Sequence, residues 1–459
     1  MLLNRRSTLV PVTHIILALL ISLGVGVTAA IFSQKTLLWL VIPIILFILI
    51  SNKLYDFLLY AYPVVFLFAQ FHIAALDLTR WFLLALLVLL SAYLILRQKL
   101  SINPVALGLG LVAFYSIVTS YLSYYPTVSL LKGISLLLLA GFLLLMPPAI
   151  QRLYPRIGIK EYILRMYLYL AIAVVLSNAI YYLLRPFSTV GFHSSGSLLA
   201  GRFRGWFMTP NGIGALYGIF FIPILWSEIW KRKMGSAKLG LLFVFLLAFI
   251  QLLASQSRAG ILAGTASLLV LILGPRKWAS RVMILGMLGL LVLAIYVASP
   301  EDNLIWRFIY RNEVELQGSG RLPVWVATWE RFLARPLFGS GLGVADTDSA
   351  SDSVAFSTGS YSIEKGNSYL AALEELGLVG VTVLIGTLLI PLLRACWKGL
   401  NRVRSPEDKS NLVLIAIVIA GLVNTTFEAW LLSAGGIPGL SFWIFASLLL
   451  YRGVDLSKR

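Results

Sequence analysis

Cysteine is almost missing from this chain. Cys396 stands alone among 459 residues, which excludes an internal disulfide and any thiolate metal site. Histidine is nearly as scarce: His14, His72 and His193 lie too far apart in sequence to suggest a zinc site. Charge is sparse as well, at 12% of residues. Acidic residues number 19 against 37 basic ones. The resulting net charge of +18 would suit a nucleic-acid binder, but the basic residues sit in short segments between apolar runs and form no continuous patch. No internal repeat of the kind found in inverted-topology transporters is visible.

What the chain does have is apolar length. With 59% hydrophobic residues and a mean hydropathy of +0.90, it reads as an all-α, polytopic membrane protein. Its apolar runs are about 17–25 residues long, enough for helices to cross a hydrocarbon core of about 30 Å. Backbone polar groups cannot face lipid unpaired, so helices are the expected form. About fourteen such helices (12–14) are expected, centred near residues 20, 43, 63, 88, 113, 137, 172, 220, 246, 266, 290, 380, 419 and 444. The first run, Leu9 to Ile31, follows Arg5 and Arg6 and lacks a convincing cleavage site. It reads as a retained span.

Alternating the loops from a cytoplasmic N-terminus places most Lys and Arg on one side. The inner segments include Arg5 and Arg6, Arg97 and Lys99, Arg152 to Arg165, Lys231 to Lys238, Arg276 to Arg281, Arg394 to Lys409, and the C-terminal Arg452, Lys458 and Arg459. The short outer loops hold only Lys35, Arg80, Lys132, Arg185, Arg202, Arg204 and Arg258. Positive charge favours the cytoplasmic side, so both termini are expected inside. Three parts follow: a bundle over residues 1–298, a large external loop over 299–366, and C-terminal spans over 367–459. Within the loop, Leu322 to Arg335 carries Trp325, Trp329 and Phe332 at helical spacing. This suggests an amphipathic helix, lying along the membrane interface or packed over the bundle. The run Gly339-Ser-Gly-Leu-Gly, followed by Asp346, Asp348 and Asp352, reads as a flexible polar loop without calcium-loop spacing.

Three arginines stand out against the charge bias. Arg202 and Arg204 precede one span, and Arg258 lies in a turn between two others. Flanking arginines often reach to lipid headgroups. Three at one face also suit a multiply anionic ligand, because a guanidinium matches two phosphate oxygens at once. Carboxylates in or near spans are functional candidates by default. Glu375 is a candidate general base, with Glu364, Glu374 and Glu428 behind it; each could instead pair with a bundle arginine. His193, in the outer loop before Arg202, could touch substrate. Tyr181, Tyr182, Trp206 and Trp430 fit an interfacial aromatic belt.

The segment from Arg202 to about Gly380 resembles the O-antigen ligase and polysaccharide polymerase superfamily of membrane glycosyltransferases. The likeness rests on Arg202-Phe-Arg-Gly with Pro210-Asn-Gly, Ser257-Arg-Ala-Gly, and Gly320-Arg-x3-Trp-x3-Trp. It continues in Arg335-Pro-Leu-Phe-Gly-Ser-Gly-Leu-Gly and Asn367-Ser-Tyr-Leu-x4-Glu-x-Gly-Leu-x-Gly. The resemblance implies a GT-C-like bundle with one large extracytoplasmic loop, in a bacterial inner membrane, with the active site facing outward. It implies an undecaprenyl-diphosphate-linked oligosaccharide donor, a glycan or lipid acceptor, no cofactor and no metal. A chain-length regulator is a further candidate partner. By this likeness Arg202 or Arg204 with Arg258 would hold the diphosphate, Arg321 would be an additional contact, and Asn367 and Tyr369 would line the substrate site. Ligases of the family carry a histidine just before the motif asparagine, where this chain has Gly366. A polymerase is therefore expected ahead of a ligase, with Glu364, Glu375 or Glu428 as base. A transporter of the same lipid-linked sugar is the rival from another class.

Overall fold

The structure is a computed structural model, described over residues 74–95, 103–154, 158–184, 202–207, 209–276, 321–344, 365–401 and 406–451, with the single residues 59, 62, 283 and 287. Among these residues it is all helical, with no β-strand. In chain order the helices are α1 (Ala74–Ile95), α2 (Pro104–Thr119), α3 (Pro126–Leu153), α4 (Ile159–Leu184), α5 (Pro210–Lys231) and α6 (Ser236–Ala254). They continue with α7 (Arg258–Leu273), α8 (Arg321–Ala334), α9 (Ser368–Leu400), α10 (Pro406–Asn424) and α11 (Ile437–Leu450). Six helical stretches are long and apolar enough to cross a membrane: Pro104–Leu122, α3, α4, α5, α6 and α9. Shorter apolar helices lie in α1, α7, α10 and α11. The spans expected near residues 20, 43, 63 and 290 fall outside the described helices.

The helix starts follow from local chemistry. Asn103 caps α2 by accepting from Val105 N, with Pro104 next. Thr209 and Pro210 open α5 in the same way, and Ser257 caps α7 by accepting from Gly260 N. A capping oxygen satisfies an otherwise unpaired N–H, and proline at the first helical position has none to lose. Outward-pointing residues such as Phe114, Phe243, Ile250 and Trp397 are large, apolar and exposed, as a lipid-facing surface requires. The interior is also apolar. Helix α11 lies in its middle, with every residue from Gly439 to Leu448 buried.

Two helices cross at backbone contact. A Cβ on Gly218 would stand 2.1 Å from Gly260 O, and one on Gly260 would stand 2.4 Å from Gly214 Cα. Gly214 and Gly218 on α5 therefore mesh with Gly260 and Gly264 on α7, the small-residue packing by which membrane helices approach closely. This crossing seats Ser257 and Arg258 against the start of α5.

Contacts near the helix ends sort the connecting segments into two groups. At one end Lys160 Nζ donates to Asn411 Oδ1 (2.7 Å), Tyr451 Oη donates to Gln151 Oε1 (3.2 Å), and Gly274 abuts Leu412. Helix α7 thus finishes where α10 begins, so the two run antiparallel. At the opposite end α10 meets the start of α9, where Ser368 N donates to Thr425 O (2.9 Å). The start of α7, the end of α10, the start of α9 and the segments 202–207 and 335–344 therefore share one end of the bundle.

Two sequence expectations are corrected here. Lys132 and Arg80 are not loop residues: Lys132 lies two turns into α3, and Arg80 lies within α1, where it donates to Gly435 O (2.9 Å). Apolar runs mark spans but not where their first polar turn begins. The stretch Gly339-Ser-Gly-Leu-Gly is not a flexible polar loop either. Gly339, Ser340, Gly341 and Leu342 are buried, and their backbone is hydrogen-bonded to α9 as described below.

Candidate functional site

The arginine segment is built on a buried polar network. Asn178 Nδ2 donates to Tyr217 Oη (2.9 Å), which donates to Gln251 Oε1 (2.7 Å), and Gln251 Nε2 donates to Val175 O (3.1 Å). Such groups are tolerated inside an apolar bundle because each is satisfied. Asn178 Oδ1 also accepts from Trp206 N (3.0 Å), and Trp206 Nε1 donates to Ser177 Oγ (3.0 Å). Gly205 adopts φ +57°, and a Cβ there would collide with Asn178 Oδ1 at 1.9 Å. Only glycine makes this turn, which leaves Arg202 and Arg204 on one side of it.

The three arginines occupy different settings. Arg202 is buried: its Nε donates to Ser255 O (2.9 Å), and Nη2 donates to Asn211 Oδ1 (3.0 Å) and Gln256 O (3.4 Å). With Phe203 N donating to Ala254 O (2.9 Å), Arg202 fastens its segment to the turn before α7. Arg204 is partly exposed, and Arg258, first residue of α7, is exposed. The fold thus brings all three to one turn. An anion there would also meet the positive end of the α7 dipole, equivalent to about half a unit charge.

A second polar cluster lies at the same end of the bundle. Lys365 is 1% exposed, and its Nζ lies 2.9 Å from Glu374 Oε2 and 2.8 Å from Glu375 Oε1. It donates to Glu375 Oε1 and to Val344 O (3.1 Å), while its contact with Glu374 Oε2 is an ion pair without a hydrogen bond. Arg331 Nε, from α8, lies 2.6 Å from Glu374 Oε1. Glu375 Oε2 accepts from Gly343 N (2.9 Å). Two buried carboxylates are thus matched by two cations, the condition under which ions persist in an apolar interior. Helix α8 packs on α9, where Arg331 meets Glu374, and its Thr328 and Phe332 are buried. Its Val326, Trp329 and Leu333 point outward.

The cluster depends on a break in α9. Gly377 has φ +66° inside the helix, in the left-handed region that disfavours residues with a Cβ. The broken backbone pairs instead with residues 336–341. Ser340 N donates to Glu374 O (2.8 Å) and Gly341 N to Glu375 O (3.1 Å), while Leu378 N donates to Pro336 O (2.8 Å) and Val379 N to Leu337 O (3.2 Å). Tyr115 Oη donates to Leu376 O (2.8 Å). Irregular backbone at such a depth survives only when protein groups satisfy it.

The remaining candidates are spread around this end. Asn367 caps α9, accepting from Tyr369 N (2.8 Å) and Leu370 N (3.1 Å). Tyr369 Oη donates to Leu422 O (2.9 Å), and Glu428 O accepts from Ser368 Oγ (2.6 Å). Gly366 has φ +61°, so a histidine at this position would be strained in this backbone. The backbone of Arg321 begins α8. His193 and Glu364 lie outside the described residues, as does the side chain of Arg321. Among the described residues no group of His, Cys, Asp and Glu could hold a metal ion. Sequence reasoning passed over Lys365, because a lysine beside a long loop gives no sign of burial. The one available signal was its place next to two carboxylates within a span.

Residues 242–385 match the family model described as O-antigen ligase, which supports placing the chain in the O-antigen ligase and polymerase superfamily. The matched segment contains Arg258, Arg331, Lys365, Glu374, Glu375 and the Gly377 break, and it stops short of Glu428. No curated protein matches the chain.

Proposed function

Taking the O-antigen ligase domain at residues 242–385 as the premise, we propose that this chain is a membrane glycosyltransferase. It takes glycan from an undecaprenyl-diphosphate-linked donor at the outer face of a bacterial inner membrane and acts as a polysaccharide polymerase. The observation that carries this reading is the turn at Arg258. An exposed arginine opens α7 inside the matched segment, and Arg202 bonds the Arg204 segment to the carbonyls of the same turn. In the reaction the bond from the anomeric carbon to the diphosphate breaks, and the diphosphate gains charge as it departs. Fixed cations and a helix N-terminus stabilise charge at the moment it develops. Arg204 and Arg258 hold the diphosphate, Arg202 positions them, and Arg321 reaches the same group. A carboxylate among Glu364, Glu375 and Glu428 takes the acceptor's proton. Gly366 in place of the ligase histidine favours polymerisation over transfer to a lipid acceptor.

The test uses membranes supplied with undecaprenyl-diphosphate-linked oligosaccharide, followed for polymer and for released undecaprenyl diphosphate. Arg258→Ala abolishes both products while the protein is still made and inserted. Arg258→Lys also fails, because an ammonium cannot make the two-pronged phosphate contact. Wild-type turnover in both variants would refute the assignment.

A further inference from the structure

Beside the Lys365 cluster lies a small pocket of about 70 Å³, lined by Lys132, Lys365 and Glu375 and by the small side chains of Ala371, Ala372 and Ala429. Its base is fixed by backbone: Ser368 Oγ, also on its wall, donates to Glu428 O and accepts from Trp430 N (3.1 Å) and Leu431 N (3.2 Å). The alanines keep the space open, since larger side chains at those positions would fill it. Its volume suits roughly two to four water molecules, so a whole sugar ring does not enter but a hydroxymethyl arm does.

The wall chemistry narrows the occupant further. An anionic group would face Glu375, and a cationic one would face Lys132 and Lys365. A neutral hydroxyl meets both, donating to the carboxylate and accepting from an ammonium. Each oxygen of Glu375 accepts one bond shown above, from Lys365 or from Gly343 N, and retains a second lone pair. Glu374 is fully buried between Arg331 and Lys365 and does not line the pocket.

We infer that this pocket is the acceptor subsite, receiving a neutral sugar through one hydroxyl, with Glu375 as the base. The inference rests on the glycosyl-transfer reading. In the step, the acceptor O–H bond breaks and its proton passes to Glu375. The oxygen forms the new bond to the anomeric carbon, and the old bond's electron pair leaves with the diphosphate.

The test uses the full chain in phospholipid nanodiscs with radiolabelled undecaprenyl-diphosphate-linked oligosaccharide. Methanol serves as a probe acceptor small enough for the pocket. The wild type forms methyl glycoside as well as polymer. Glu375→Gln lowers both by about 10²-fold or more, the range of general-base catalysis. Ala372→Leu plugs the pocket and abolishes both products while the Kd for donor, read by direct binding, stays at its wild-type value. Ala429→Val, a milder plug, decides the matter if Ala372→Leu fails to fold. Folded plug variants that make product at the wild-type rate would mean that the pocket holds only water, and the inference falls. A wild type that releases no undecaprenyl diphosphate overturns the transfer reading itself, and this inference with it.

Discussion

The break at Gly377 gives a prediction that can be worked from distances. Gly377→Ala adds a methyl group 2.4 Å from Leu337 O and 2.6 Å from Gly339 N, where unstrained contact needs about 3.5 Å. Both neighbours are backbone, so the segment 336–341 must retreat by about 1 Å. That movement takes the Leu378–Pro336 and Val379–Leu337 bonds, now 2.8 and 3.2 Å, beyond useful range. Each lost bond is worth about 1 kcal/mol net. Holding alanine in the left-handed region adds about 1–2 kcal/mol. The sum, about 3–4 kcal/mol, corresponds to at least a hundredfold easier opening at about 1.4 kcal/mol per decade. Hydrogen–deuterium exchange of the protein in nanodiscs reads this directly. Peptides covering 336–344 and 376–381 lose protection in the variant, while the rest of the bundle does not. Gly386→Ala is the control, because nothing lies within 4 Å of a Cβ there. Wild-type exchange in Gly377→Ala would show that the break is not what docks the segment.

Two further predictions concern buried polar groups. Lys365→Met removes the cation that bridges Glu374 and Glu375, and stability falls by about 3–5 kcal/mol, as for other buried ion pairs deprived of one partner. Thermal melting in detergent reads this loss, and Lys365→Met combined with Glu375→Gln recovers part of it. Tyr217→Phe removes the hydroxyl between Asn178 and Gln251 and destabilises by about 1–3 kcal/mol. Its exchange signature is confined to residues 202–207 and their contacts on α4, α5 and α6; a uniform change across the bundle would count against the network's role in holding the arginine turn.

Sequence reasoning reached the helices and the arginine turn for the same reason: both leave local marks. A span needs about 20 consecutive apolar residues, and runs such as that of α3 or α6 announce themselves. Arg202, Arg204 and Arg258 were conspicuous against a one-sided charge distribution, and the fold places their segments side by side. What stayed hidden was non-local. The burial of Lys365 depends on Glu374 and Glu375, nine and ten residues later, and on Val344, 21 residues earlier. Gly339-Ser-Gly-Leu-Gly looked mobile because glycine permits mobility. In the structure the same glycines supply the positive φ values at residues 339, 341 and 343 that let a backbone lie flush against a broken helix. Lys132 was misplaced because its apolar neighbours hid the first turns of α3.

The ladder between residues 336–341 and 374–379 also orders events in time. Ser340 bonds to Glu374, so the loop half emerges from the ribosome before the helix half that needs it. The carbonyls of Glu374 and Glu375 and the amides of Leu378 and Val379 take partners from residues 336–341. Helix α9 can therefore settle at full depth only once the earlier segment is waiting beside α2. Synthesis from the N-terminus delivers the parts in that sequence. A chain rearranged so that α9 came first would carry open backbone into lipid before its cover existed.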